Sequence, residues 1–280
     1  MSGLHLLVLD AYAPEGRAAL RSAGGTEAGD LYAGLLRRLA PTASVDVVYP
    51  ADPDPQLPRG AALSHYDGAV WTGSSLSIVE ADDPRVRRQI DFARGAYAAG
   101  LPSFGSCWAA QVAVAAAGGR CAPNPKGREF GVSRRIALSE AGRKHPMFRG
   151  KPAVFDAFTS HADEVAELGD GATLLASNGW SHVQAVSVES GPGLFWAVQY
   201  HPEYDCHEVA SLCRLRAGEL VRQGTFPDTA AAESYADGLD ALHGDPARSD
   251  LAAELGIGPD LLDETRRTRE VRNWLETLRR

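Results

Sequence analysis

The chain has 280 residues, 44% hydrophobic and 23% charged, a composition of globular rather than disordered proteins. Its net charge of −8 argues against a general nucleic-acid binder, which needs a concentrated cationic face. No apolar run approaches the roughly 18 residues that span a bilayer, no cationic region precedes the first apolar stretch, and the 4 cysteines contain no CxxC pair, so a cytoplasmic protein without a disulfide framework is expected.

The first half alternates two kinds of segment. Leu4–Asp10 is a short apolar run of the type found in buried parallel strands. Leu31, Leu35, Leu36 and Leu39 then recur at helical spacing, ahead of Pro41. Val45–Tyr49 and Gly68–Trp71 read as the next strands, the latter running into Thr72-Gly-Ser-Ser75. Asp83 and Pro84 open a helix that continues to Ala99. Leu101–Ser106 is a fourth strand, and Cys107–Ala117 a helix of small residues. This alternation predicts an open, mostly parallel twisted α/β sheet with helices on both faces.

Strand signals dominate the second half: Phe130–Leu138, Ala153–Thr159, Thr173–Ser177, His182–Val188 and Leu194–Tyr200. A helix over Cys206–Gln223 follows, with Val209, Leu212, Leu215 and Leu220 on one side. After Phe226-Pro227 the composition turns to Ala, Asp, Glu and Arg, so residues 1–226 are expected to form one catalytic domain and 227–280 a helical extension. Val271, Trp274, Leu275 and Leu278 make the last apolar stripe. Such a tail should dock on the core near the active-site edge, where it would narrow access; a contact between two copies, giving a homodimer, is the alternative.

Three local patterns carry chemistry. In Phe104-Gly-Ser-Cys107-Trp-Ala-Ala-Gln111, the cysteine sits where a strand gives way to a helix, with Gly105 and Ala109 flanking it at two residues on either side. Small neighbours permit the sharp turn that lifts a nucleophile clear of a sheet edge. Backbone N–H groups at the helix start favour a thiolate there. In Gln199-Tyr-His201-Pro-Glu203, a strand delivers His201 at its tip, and Glu203 can return to the imidazole and set its tautomer. A thiol needs such a base, and the base an orienting acceptor. Gly73, also directly after a strand, can turn its N–H outward; with the Trp108 N–H it would form a two-donor oxyanion hole. Taken singly, each pattern also fits a plain loop or turn. All three fall at C-terminal ends of expected parallel strands, where open α/β sheets place their ligands.

The order Thr-Gly-Ser, Gly-Ser-Cys-Trp-x-x-Gln, Tyr-His-Pro-Glu resembles the class I (triad) glutamine amidotransferase domain over about residues 4–223, most of all stand-alone proteins similar to the glutaminase half of guanosine monophosphate synthase. The resemblance implies Cys107 as nucleophile, His201 as acid and base, Glu203 as orienter, and Gly73 and Trp108 as oxyanion donors. It further implies Gln111, and the Ser160-His161-Ala-Asp163 segment, as substrate-binding. Two positions depart from the family pattern, Ala109 and Ala162, each standing where a glycine is usual. The implied reaction is hydrolysis of the γ-amide of glutamine or of a γ-glutamyl amide through a glutamyl thioester. Neither cofactor nor metal is expected. No GxxxxGK[ST] loop or Ser-Gly-Gly-Val-Asp-Ser segment occurs, so ammonia would pass to a separate synthetase subunit, or the protein would act alone as a γ-glutamyl hydrolase. A non-catalytic binding or regulatory member of the fold is the remaining alternative.

His201, Asp205, Cys206, His207 and Glu208 are dense in metal-ligating types, but their spacing matches no zinc pattern. Arg266, Arg267, Arg269 and the terminal Arg279-Arg280 are expected to form a solvated helix face.

Overall fold

The computed structural model describes residues 3–279; Arg280 of the terminal basic pair lies outside them. The first half builds β1 (His5–Leu9), α1 (Pro14–Ser22), α2 (Ala28–Leu39), β2 (Ser44–Val48), β3 (Gly68–Trp71), α3 (Pro84–Ala99), β4 (Ser103–Ser106) and α4 (Trp108–Ala116). Next come β5 (Arg120–Pro123), β6 (Glu129–Leu138), α5 (Glu140–Lys144), β7 (Val154–His161) and β8 (Asp163–Glu167). The chain continues through β9 (Ala172–Ser177), β10 (Ala185–Ser190), β11 (Gly193–Val198) and α6 (Cys206–Arg222). It closes with α7 (Thr229–Gly244), α8 (Ser249–Leu255), α9 (Pro259–Leu262), α10 (Glu264–Arg267) and α11 (Arg269–Leu278).

Nine strands form one sheet in the order β2-β1-β3-β4-β11-β10-β9-β6-β7, and β5 pairs with β8 separately. The joints from β2 to β11 are parallel and those from β11 to β7 antiparallel. Because only β10 and β6 are reversed, seven of the nine strands still run in one direction. The ends of β3, β4, β11 and β7 therefore share one edge. Short α1 and the β5–β8 ribbon have no counterpart among the expected elements.

Strand alternation explains the two-faced core. Leu7 and Leu9 of β1 face α3 and α4 together with Trp71, while Leu6 and Val8 face the opposite layer with Val70, Phe104 and Trp196. Caps hold the helices in place: Asp83 accepts from the Arg85 N–H, and Asp205 from the Glu208 N–H.

The tail completes that second layer. Val271, Trp274 and Leu275 of α11 lie in the same buried cluster as Leu6, Val8 and Phe104, and the Trp274 and Phe104 rings are 5.9 Å apart. A Cβ on Gly68 would stand 2.8 Å from Trp274, so the glycine admits the indole. Helix α7 packs Ala236, Leu239 and Leu242 against α6. Arg267 departs from the expected solvated face: it is part-buried and donates to the Leu261 carbonyl, whereas Arg266 stays exposed beside Asp260 and Asp263. No helix among the described residues is long and apolar enough to cross a membrane.

Candidate active site

The turn after β4 is strained where chemistry would need it. Cys107 has φ 53° and ψ −101°, a left-handed backbone that non-glycine residues adopt at a cost of about 1–3 kcal/mol. Its N–H donates to the Val198 carbonyl at 2.8 Å, which ties the turn to β11. A Cβ at Gly105 would lie 2.4 Å from the Ala109 methyl and 2.5 Å from the Trp71 carbonyl oxygen, so position 105 must be glycine. That bare backbone is also what makes room for Ala109. Cys107 is 6% exposed, and its Sγ lies 3.8 Å from the Ser160 carbonyl oxygen.

His201 is held from several sides. Its N–H donates to the Phe158 carbonyl at 2.8 Å, and its Nδ1 faces Glu203 Oε1 at 2.7 Å. The Ser106 hydroxyl donates to that same oxygen at 2.7 Å. Tyr204 stacks flat on the imidazole, with ring centres 3.8 Å apart and planes 3° from parallel. Nε2 is buried and has no hydrogen-bond partner among the described residues. Burial alone would lower the imidazole pKa, but the Glu203 carboxylate and the Cys107 thiol outweigh it and raise it to about 9. Gly73 reaches the same spot from β3: a Cβ there would sit 2.9 Å from His201 Cε1 and 3.7 Å from Cys107 Cβ. Trp108, the first residue of α4, leaves its backbone N–H without an intrahelical acceptor.

A cavity of about 210 Å³ opens over the thiol. The loop 74–77, Trp108, Gln111 and the segment 160–163 line it, with Arg128 and Arg216 entering from beyond. Gln111 donates to the Asp163 carbonyl at 3.0 Å, and Asp163 Oδ2 accepts from the Ser77 hydroxyl at 2.5 Å. Ser160 Oγ is buried without a partner among the described residues. His161 is engaged on both nitrogens, Nδ1 with the Asp163 carbonyl at 3.0 Å and Nε2 with Glu129 Oε2 at 2.9 Å. Its ring thus braces the wall of the cavity, with Glu129 held in turn by Ser133, Asn178 and Gln184. Ala162 has no positive φ, so the loop there requires no glycine.

Among the described residues none beyond Arg216 lines this cavity, so the described tail does not narrow it; its last helix covers a sheet face instead. The residues dense in metal-ligating types after His201 diverge. Asp205 caps α6, His207 meets Asp240 at 2.8 Å, and Glu208 accepts from Thr26. The described residues contain no group of three or more suited to a metal ion. Burial pushes the Cys121 and Cys213 thiols up to about 12 and Cys206 to about 11, which keeps them protonated. Sequence reasoning missed Ser106 and Arg128, whose partners lie far along the chain, and Tyr204, whose stacking depends on how the turn after His201 folds. It also missed Arg216, whose carboxylate partner is only three residues away but which meets the cavity only once α6 is packed.

The pattern describing glutamine amidotransferase class-I matches residues 35–211. The chain is 34% identical to a gamma-glutamyl-L-1-hydroxyisopropylamide hydrolase of Pseudomonas sp, over 99% of this chain and 94% of that protein. It is 32% identical to the glutamine-hydrolyzing GMP synthase of Thermomicrobium roseum, over 62% of this chain but only 30% of the synthase. A glutamine amidotransferase from Thermotoga maritima shares the fold at TM-score 0.65 and 15% identity, with 99% of both chains covered.

Proposed function

The chain belongs to the class I glutamine amidotransferase family, and from that premise we propose that it hydrolyses the γ-amide bond of a small γ-glutamyl amide. The Cys107 sulfur attacks the γ-carbonyl carbon, and the Gly73 and Trp108 N–H groups hold the oxyanion that forms. His201 passes a proton to the departing nitrogen as the C–N bond breaks, which leaves a glutamyl thioester. It then takes a proton from water, whose oxygen displaces the sulfur and releases glutamate. The Cys107–His201–Glu203 arrangement, with a 2.7 Å imidazole–carboxylate contact beside a strained cysteine, carries this reading.

Likeness to the Pseudomonas hydrolase along nearly the whole chain favours an enzyme that acts alone and releases an amine. The second reading is a glutaminase subunit that hands ammonia to a separate synthetase, which the partial match to GMP synthase favours. A cytoplasmic setting belongs to either, because reducing conditions keep the Cys107 thiol free.

The test is glutamate release by the purified protein from glutamine and from a panel of γ-glutamyl amides. Turnover without a partner supports the hydrolase; turnover that appears only with a co-purifying synthetase supports the subunit. Wild-type rates in Cys107→Ala overturn both. Failure of a diazo-ketone analogue of glutamine to alkylate Cys107 points to a binding protein.

A further inference from the structure

Two guanidinium groups line the catalytic cavity, and among the described residues neither pairs with the carboxylate that also lines it. Arg128, from the loop before β6, and Arg216, from α6, both line it together with Cys107. One carboxylate serves the two guanidinium groups: Glu219 Oε1 accepts from Arg128 Nε at 3.0 Å, and Glu219 Oε2 lies 3.5 Å from Arg216 Nη1. Burial alone would raise the Glu219 pKa, but the two arginines outweigh it and hold the acid below its ordinary range. The Arg128–Glu219–Arg216 cluster therefore carries a net charge of about +1, and Asp163 brings the site as a whole to about zero. Arg216 Nε is buried and meets no acceptor among the described residues. The side chains of Arg128 and Arg216 are 11% and 16% exposed, too enclosed for water to satisfy the guanidinium edges fully. Asp163, the other charged group lining the cavity, is engaged by Ser77 and lies on the wall formed by 160–163.

We infer that Arg216 and Arg128 form a carboxylate-recognition subsite for the α-carboxylate of the γ-glutamyl group. The inference rests on the γ-glutamyl reading above and adds to it a determinant of specificity. A planar guanidinium with a free edge matches a carboxylate with two parallel N–H···O bonds, which a lysine ammonium cannot reproduce. An anion placed there neutralises the excess charge of that cluster and supplies the acceptor that Arg216 Nε lacks. Recognition at this end fixes the substrate so that its γ-carbonyl meets Cys107, whatever amine is attached.

The experiment compares γ-glutamyl-p-nitroanilide with its α-carboxamide derivative, each assayed on the same preparation of the full chain. The ratio of the two kcat/KM values does not depend on the fraction of protein that is folded. Wild type should prefer the free α-carboxylate by about 100-fold, chiefly through KM. In Arg216→Met the ratio should fall to within a few-fold of unity, in Arg128→Met it should fall partway, and Arg216→Lys should recover little. A wild type that uses both substrates equally, or a ratio unchanged in both methionine variants, overturns the subsite while leaving γ-glutamyl cleavage intact. Turnover of neither substrate by wild type overturns the γ-glutamyl reading, and the subsite with it.

Discussion

The Ser106 hydroxyl donates at 2.7 Å to the oxygen of Glu203 that also faces His201 Nδ1. The residue before the cysteine thus holds the acid that orients the histidine, across 97 positions of sequence. Glu203 Oε2 is buried without a partner among the described residues, so the hydrogen bonds that hold this carboxylate fall on Oε1. A hydrogen bond to a charged group contributes about 1.5–3 kcal/mol. Ser106→Ala should lower kcat by about tenfold or more with little change in KM, and steady-state kinetics on a γ-glutamyl amide reads this. Wild-type kcat would show that Ser106 does not orient the acid.

Gly73→Ala tests the third strand end. The added methyl would stand 2.9 Å from His201 Cε1, closer than packing allows, and would press the ring away from the thiol. Alanine keeps the backbone N–H, but the clash shifts both it and the imidazole. A misplaced oxyanion donor forfeits much of the ~3–4 kcal/mol that a lost one costs, so kcat should fall by about 100-fold, with the fold retained. Kinetics combined with thermal melting decides it; unchanged kcat would remove Gly73 from the site.

Stability should depend on pH through His201. Its folded pKa is about 9, above the ordinary 6.5, so the stabilisation from pairing is fully present below about pH 6.5 and is lost as pH rises through 9. The melting temperature of wild type should fall between pH 7 and pH 9.5. Glu203→Gln removes the principal group that raises the imidazole, so its melting temperature should fall less over that range. Parallel curves for the two proteins would contradict the assignment.

The tail should be integral to stability. Lys151 and Glu270 form a buried ion pair at 2.9 Å, and the Tyr200 hydroxyl also donates to Glu270. Glu270→Gln strips this pair of one partner and should destabilise by about 3–5 kcal/mol, with Lys151→Met/Glu270→Gln recovering part of the loss. Trp274→Ala, which empties a site 2% exposed, should cost about 3–5 kcal/mol. Urea unfolding measures all three. Losses below 1 kcal/mol, or rapid proteolysis beyond residue 230 at unchanged stability, would show that the tail does not dock.

Local signals were enough to place the candidate turns. Gly-Ser-Cys-Trp-Ala after an apolar run, and Tyr-His-Pro-Glu after another, are read within a few residues, because strand propensity, small side chains and a proline act on the backbone where they stand. The strand order was not legible: pairing β4 with β11 joins segments some ninety residues apart through backbone hydrogen bonds, which are indifferent to side-chain identity. The same holds for the partners of the candidate residues. His161 was readable as a family position, yet its burial against Glu129 depends on β6 and β7 pairing. Arg128 and Arg216 carry no mark that separates them from other surface arginines until α6 packs beside the loop before β6. The tail's apolar stripe announced that it would be buried, but hydrophobicity is non-directional, and only the shape of the sheet face, opened by Gly68 beneath Trp274, decided where.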